Sequence, residues 1–319
     1  MPAIATLRDE SVARALAHTF VSGVTMTLGY YPGCSLTGTS REYDLSLRQV
    51  LAALDVDLVE IDDWSCCGAS SAHIASHLLS IALPARNLAL AREQDLAEVL
   101  APCAACFNRL VAARRAIDGS ARMRESIEYV LDAPWNGGAA VVNILELFER
   151  IGPERIAAGV RTKLASLSVA CYYGCLLVRP VGIGALLEAE QPRSMEAIVA
   201  ATGARSVEWS HRVECCGGAL SVPHSEIVVE LARGILDDAR QSGADAIVVA
   251  CPMCHVNLDM RQRTMLDASP GASPLPVLYL TELVGLALGI DAEALGLGLH
   301  VIDTAALVDA VASVEEVAS

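Results

Sequence analysis

Ten of the eleven cysteines in this 319-residue chain fall into two copies of one pattern, C…CC-G…C-x-x-C. The first copy is Cys34, Cys66, Cys67, Cys103 and Cys106; the second is Cys175, Cys215, Cys216, Cys251 and Cys254. From the Cys-Cys pair to C-x-x-C the gaps are 35 and 34 residues, and from the leading cysteine to the pair they are 31 and 39. The flanking words repeat as well. Tyr30-Tyr31-Pro32-Gly33-Cys34 answers Tyr172-Tyr173-Gly174-Cys175, and an Asn follows each C-x-x-C (Asn108, Asn257). A repeat this detailed implies gene duplication and two domains related by a pseudo-twofold.

The segments between the cysteines alternate in type. Residues 26–31 and 166–173 are short apolar runs that read as strands leading into a cysteine turn. Strands are also expected at 57–61 and 205–209, before each CCG, and at 97–101 and 245–250, before each C-x-x-C. Helical spacing marks 41–54, 71–95 and 224–241. The alternation predicts an α/β fold with two pseudo-symmetric Rossmann-like parallel-sheet units. Their cysteines cluster at strand ends, where open α/β sheets place their sites. The expected boundaries are an extension at 1–23, a first domain at 24–155, a second at 156–290 and a C-terminal appendage at 291–319. The appendage is read as a strand (299–303) and a helix.

Composition excludes several classes. Net charge is −15 and no basic run exceeds Arg114-Arg115, so electrostatic nucleic-acid binding is not expected. The longest apolar stretch, 277–290, carries Glu282 and is too short to span a bilayer. The opening residues are acidic where a secretory signal is basic. A cytoplasmic protein is expected, in which clustered cysteines are metal ligands or redox groups rather than disulfides.

Thiolates are the soft ligands that hold iron in sulfide clusters. A C-x-x-C turn aims two sulfurs at one centre. Neighbouring cysteines diverge unless the backbone turns sharply, which Gly68 and Gly217 permit. Five thiolates are one more than a cubane cluster with four cysteine ligands uses. They are also one more than tetrahedral zinc uses, so a zinc-stabilised structural subunit stands as an alternative. Residues 251–255 (C-P-M-C-H) match a c-type haem word, but Phe107 stands in the first half where His255 stands in the second. Cys171 falls outside the repeat opposite Tyr30 and reads as a small buried strand residue. His73 and His77, four apart, could chelate a metal, but a solvated helix face is the favoured reading. Trp64 and Trp209 precede the CCG pairs, with Asp62, Asp63, His211 and Glu214 nearby as groups that could shield or tune a cluster.

With both cysteine sets laid out, the sequence resembles the cysteine-rich CCG-domain family, and within it the B subunit of heterodisulfide reductase and its relatives. YYGCLLVRP (172–180) carries the resemblance most directly. It implies two noncubane [4Fe–4S] clusters, one held by Cys34, Cys66, Cys67, Cys103 and Cys106, the other by Cys175, Cys215, Cys216, Cys251 and Cys254. It implies an oxidoreductase subunit that makes or breaks S–S bonds of a disulfide, thiol or sulfur carrier, with the clusters touching the sulfurs. The ferredoxin spacing C-x₂-C-x₂-C-x₃-C is absent from the sequence. The partners that the resemblance implies are therefore the C subunit, which is ferredoxin-like, and the A subunit, which binds flavin. With 22 arginines to the single Lys163, a bacterial sulfur-oxidising complex is the favoured setting. The rival setting is an electron-relay subunit of a dehydrogenase or bifurcating complex with no direct substrate contact.

Overall fold

A computed structural model gives the fold over residues 26–69, 72–179, 190–268 and 273–318. The extension expected at 1–23 and Pro180 of the YYGCLLVRP word lie outside the described residues.

Each half builds a four-stranded parallel sheet. In the first, β1 (Met26–Tyr30), β2 (Val56–Glu60), β3 (Glu98–Leu100) and β4 (Ala140–Val142) lie in the order β2-β1-β3-β4. In the second, β5 (Ser168–Tyr172), β6 (Arg205–Ser206), β7 (Ala246–Val249) and β8 (Val277–Tyr279) repeat it as β6-β5-β7-β8. Parallel neighbours need long crossovers, and helices supply them. Helix Arg41–Ala53 shows the logic. Leu47, Val50 and Leu51 form its buried stripe, each contributing about 1.5–3 kcal/mol on burial.

The sheets end in matched caps. Asn143 caps helix Ile144–Ile151 while Glu146 accepts from the Asn143 N–H at 3.0 Å. At the equivalent place, Glu282 of helix Leu280–Ala287 accepts from the Tyr279 N–H at 2.7 Å. The halves then pack crosswise. Helix Arg41–Ala53 lies against Leu280–Ala287, and Ile144–Ile151 against Ser194–Ala201, as a pseudo-twofold requires. Ser46 and Thr281 share a buried 2.7 Å hydrogen bond across this boundary, and Tyr43 stacks on Tyr279 at 4.1 Å. One apolar core runs through both halves.

Three expectations need correction. The strand expected at 205–209 stops at Ser206. The main-chain N–H groups of Arg205 and Val207 bond to Leu167 and Val169, but the next acceptor, the Cys171 carbonyl, is taken by the Trp209 indole at 3.1 Å. The helix expected at 71–95 is two helices, Ala72–Ala75 and His77–Glu93. The extended backbone of Ser76 breaks them, and its hydroxyl caps the second by accepting from the Leu79 N–H. Residues 299–303 are not a strand. The N–H groups of Val301 and Ile302, which a neighbouring strand would receive, donate to the Asp259 carboxylate at 2.8 and 3.0 Å.

Candidate metal centre

Each leading cysteine follows a left-handed glycine at the end of the first strand of its sheet. Gly33 has φ +66° and Gly174 has φ +64°. A Cβ at Gly33 would stand 3.1 Å from Cys106 Sγ, and one at Gly174 would stand 2.9 Å from Cys254 Sγ. Both conformation and space therefore demand glycine. Gly68 and Gly217, at φ +73° and +78°, turn the chain after the Cys-Cys pairs. Their N–H groups donate to Cys66 Sγ at 3.4 Å and Cys215 Sγ at 3.3 Å. Each C-x-x-C straddles a helix start: Cys103 precedes helix Ala104–Asp118, and Cys251 precedes Pro252–Ala268. There the free N–H groups of the first turn favour negative charge on the sulfurs, and those of Met253 and Cys254 help to pull the Cys251 thiol down.

The ten sulfurs divide alike in both halves. Cys34, Cys66 and Cys215 are exposed and Cys175 is partly so; Cys67, Cys103, Cys106, Cys216, Cys251 and Cys254 are buried. Cys67 lies 3.3 Å from Cys106, and in the equivalent pair Cys216 lies 3.6 Å from Cys254. Cys34 neighbours Cys66, and Cys175 lies 3.8 Å from Cys215. Cys103 and Cys251 are neighbours across the boundary between the halves. The buried sulfurs thus form one path: Cys67, Cys106, Cys103, Cys251, Cys254, Cys216.

The contacts split the thiols into acidic and basic members. Cys106 holds Cys67 down to about 7, while Cys103 and Cys67 push Cys106 up. Cys175 holds Cys215 down to about 6 and is itself pushed up by it. Cys103 and Cys254 pull Cys251 well down. In these three contacts one sulfur, that of Cys67, Cys215 or Cys251, is ready to be a thiolate, the ligand form.

A buried tyrosine stands near each set. Cys34, Cys66, Cys67 and Cys106 lie close enough to Tyr31, and Cys175, Cys215, Cys216 and Cys254 to Tyr172, for their charge to add to burial in pushing the phenol up. The Tyr31 hydroxyl donates to the Ser65 carbonyl and that of Tyr172 to the Glu214 carbonyl, both at 2.7 Å. Each hydrogen bond anchors the residue before a Cys-Cys pair. Trp64 packs edge-on against Tyr31 at 5.4 Å, and Trp209 packs at a tilt against Tyr172 at 6.0 Å. The tryptophans therefore shield the sites through the tyrosines, whose anchoring role the repeated words hinted at without specifying.

The other flagged residues lie apart from the sulfurs, except Asn257, whose amide also donates to Cys216 Sγ at 3.6 Å. Cys171 is buried inside β5, paired with Val248. His73 and His77 are exposed on two different helices. His211 leans on Asp238 at 2.8 Å, and Asp63 pairs with Arg86. Asp62 is held by Gln94. Asn257 donates to the Cys216 carbonyl at 2.9 Å, whereas Asn108 reaches across to the Leu176 carbonyl at 2.6 Å, beside Cys175. His255 is buried at the boundary between the halves. Among the described residues, no three His, Cys, Asp or Glu side chains converge as ligands of one metal ion; the sulfurs meet in pairs. Five sulfurs per half, with backbone N–H groups donating to Cys66 and Cys215 and helix starts at Cys103 and Cys251, fit an extended iron–sulfide body.

Comparison with known proteins agrees with this geometry. A membrane-anchor subunit of 8-methylmenaquinol:fumarate reductase from Wolinella succinogenes is 34% identical over 87% of this chain and 98% of its own length. The B subunit of a ferredoxin/F420H2-dependent CoB-CoM heterodisulfide reductase from Methanosarcina acetivorans is 30% identical over 85% of this chain and 92% of its own. Among the described residues no helix is long and apolar enough to cross a membrane. A solved structure of a hypothetical protein from Helicobacter pylori shares the fold, with TM-score 0.69 and 12% identity; the match covers 94% of this chain and 58% of that one. The cysteine-rich CCG domain model matches residues 28–111 and 169–259, the two stretches that carry the sulfurs. The chain belongs to the CCG cysteine-rich domain family, which it represents in two duplicated copies.

Proposed function

We propose that this chain is the iron–sulfur catalytic subunit of a heterodisulfide-reductase-like complex in the cytoplasm. The two five-cysteine sets would each hold a noncubane [4Fe–4S] cluster, which supplies electron storage and soft metal contact for sulfur. The observation that carries this reading is the sulfur path with its two solvent-facing ends. Cys34 and Cys66 open one end, Cys175 and Cys215 the other, and the buried cysteines join them through Cys103 and Cys251. An exposed end admits a disulfide, thiol or sulfur carrier, and a buried middle excludes water while electrons pass. Residues of the chain then bind and orient: the glycine turns bring sulfurs to the surface, and the helix starts stabilise negative charge on them. A flavin-binding partner of the A type and a ferredoxin-like partner of the C type would deliver or collect the electrons, and sulfur oxidation in a bacterium is one setting.

Metal analysis of anaerobically purified chain tests the reading. About eight irons per chain, with matching sulfide, is the expected result. Zinc without iron would overturn it in favour of a structural role.

A second reading, electron relay without substrate contact, is favoured by the Wolinella relative, whose name places it in a quinol:fumarate reductase. Reduced protein mixed with a small disulfide separates the two. Rapid reoxidation with stoichiometric thiol supports the first; inertness to disulfides alongside rapid reoxidation by a quinone supports the second.

A further inference from the structure

Beside the sulfur path lies a buried set of acids and imidazoles that the sulfur chemistry does not use. Glu42 comes from helix Arg41–Ala53, His255 and Asp259 from Pro252–Ala268, Glu282 from Leu280–Ala287, and His300 from the C-terminal segment. Tyr43 and Tyr279 are the other titratable groups facing it. The side chains of Glu282 and His300 have no exposed surface. His300 Nε2 lies 2.8 Å from Glu282 Oε1, and its Nδ1 lies 3.4 Å from His255 Nε2. The second Glu282 oxygen caps its helix, as Glu146 does in the first half.

One side of this set points to the sulfurs. The His255 ring stacks on Tyr279 at 4.3 Å, and Tyr279 stacks on Tyr43. The Tyr43 hydroxyl reaches the Ala250 carbonyl, one residue from Cys251. The other side lies just under the surface. His300, with its main chain partly exposed and its imidazole covered, lines a groove of about 810 Å³ with Leu45, Leu299, Asp303 and Thr304.

The charge balance is unusual. Three carboxylates sit in a dry boundary, and burial pushes all three up. Asp259 is compensated by two backbone N–H groups, whereas Glu282 depends on one N–H and on His300. Negative charge added nearby, in a medium of low polarity, makes a proton at that pair more favourable.

We propose that the Glu282–His300 pair takes up one proton from the groove when the group held by Cys251 and Cys254 gains one electron. This rests on the iron–sulfur reading above. The electron comes from a one-electron donor, the donating partner chain or an electrode, and the proton from water. The boundary thereby gains no net charge. His255 stays neutral and serves as the spacer between the pair and the sulfurs.

The test is an anaerobic redox titration of the cluster-loaded chain, followed by visible absorbance and electron paramagnetic resonance, from about pH 6 to about pH 8. One couple is expected to fall by about 59 mV per pH unit, one proton per electron. Glu282→Gln keeps an oxygen for the Tyr279 N–H and should flatten that slope while leaving the spectra unchanged. His300→Gln should do the same. A pH-independent potential in the unmodified chain, or a slope retained in either variant, overturns the proposal. If the variants do not fold, a pH-indicator dye can count protons during electrochemical reduction of the unmodified chain. About one proton per electron is expected, and none overturns the proposal. Protein without iron defeats the parent reading, whereas iron clusters with a pH-independent potential defeat only this one.

Discussion

Cys103 and Cys251 lie side by side, although each is the first cysteine of a C-x-x-C in a different half. The two sites are therefore not independent. Cys103→Ser should lower iron content by about half, by loss of the first cluster, and should also shift the paramagnetic signal of the remaining one. Cys34→Ser, at the exposed end of the same set, should leave that second signal unchanged. Identical second-site spectra in the two variants would show that the contact carries no influence.

The glycine turns make a graded prediction. Gly174→Ala forces a side chain into the left-handed region, which costs about 1–2 kcal/mol. It also places a Cβ 2.9 Å from Cys254 Sγ. Gly243→Ala has a similar φ of +76° but open space around the Cβ, so only the conformational cost applies. Urea unfolding should rank Gly174→Ala as the less stable variant, and only that variant should lose iron.

Asp259 holds the segment that fails to become a strand. Asp259→Ala strands two N–H donors, at about 1–3 kcal/mol each. Asp259→Asn keeps one acceptor and should recover part of the loss. Thermal denaturation of both variants checks the order.

Stability should fall as pH rises. Glu282 is pushed up by burial, as are Glu42 and Asp259. Above the ordinary carboxylate range the folded chain binds more protons than the unfolded one, so stability drops with increasing pH. Although burial opposes it, His300 is pushed up overall by Glu282, and its contribution is lost as pH rises through its folded value. His255, pushed down by burial, works the other way and costs stability at acid pH. Glu282→Gln should therefore flatten the decline between about pH 5 and about pH 8, read from urea midpoints.

Much of this was legible in the residues because it is local. The cysteine words, the glycines after them and the alternating apolar runs each act over a few positions, and they foretold two parallel sheets with sulfurs at strand ends. What was not legible depends on side chains replacing main-chain partners. Trp209 ends β6 by taking the Cys171 carbonyl, and Asp259 keeps 299–303 out of a sheet. Nothing in the order of residues announces either. The boundary between the halves was equally hidden, since Glu42 and His300 meet only through the crosswise packing. One signal was present: Glu282 interrupts an otherwise apolar stretch, and an acid kept in such a place asks for a partner.

In a twofold arrangement, a residue can touch its own counterpart only on the rotation axis. The axis of this chain therefore passes between Cys103 and Cys251. A single half, as it existed before duplication, could form the same boundary as an isologous homodimer, with that cysteine facing its own copy. The fused chain would then inherit its sulfur path from an interface between two identical protomers, and duplication freed the second copy to acquire His300 on one side alone.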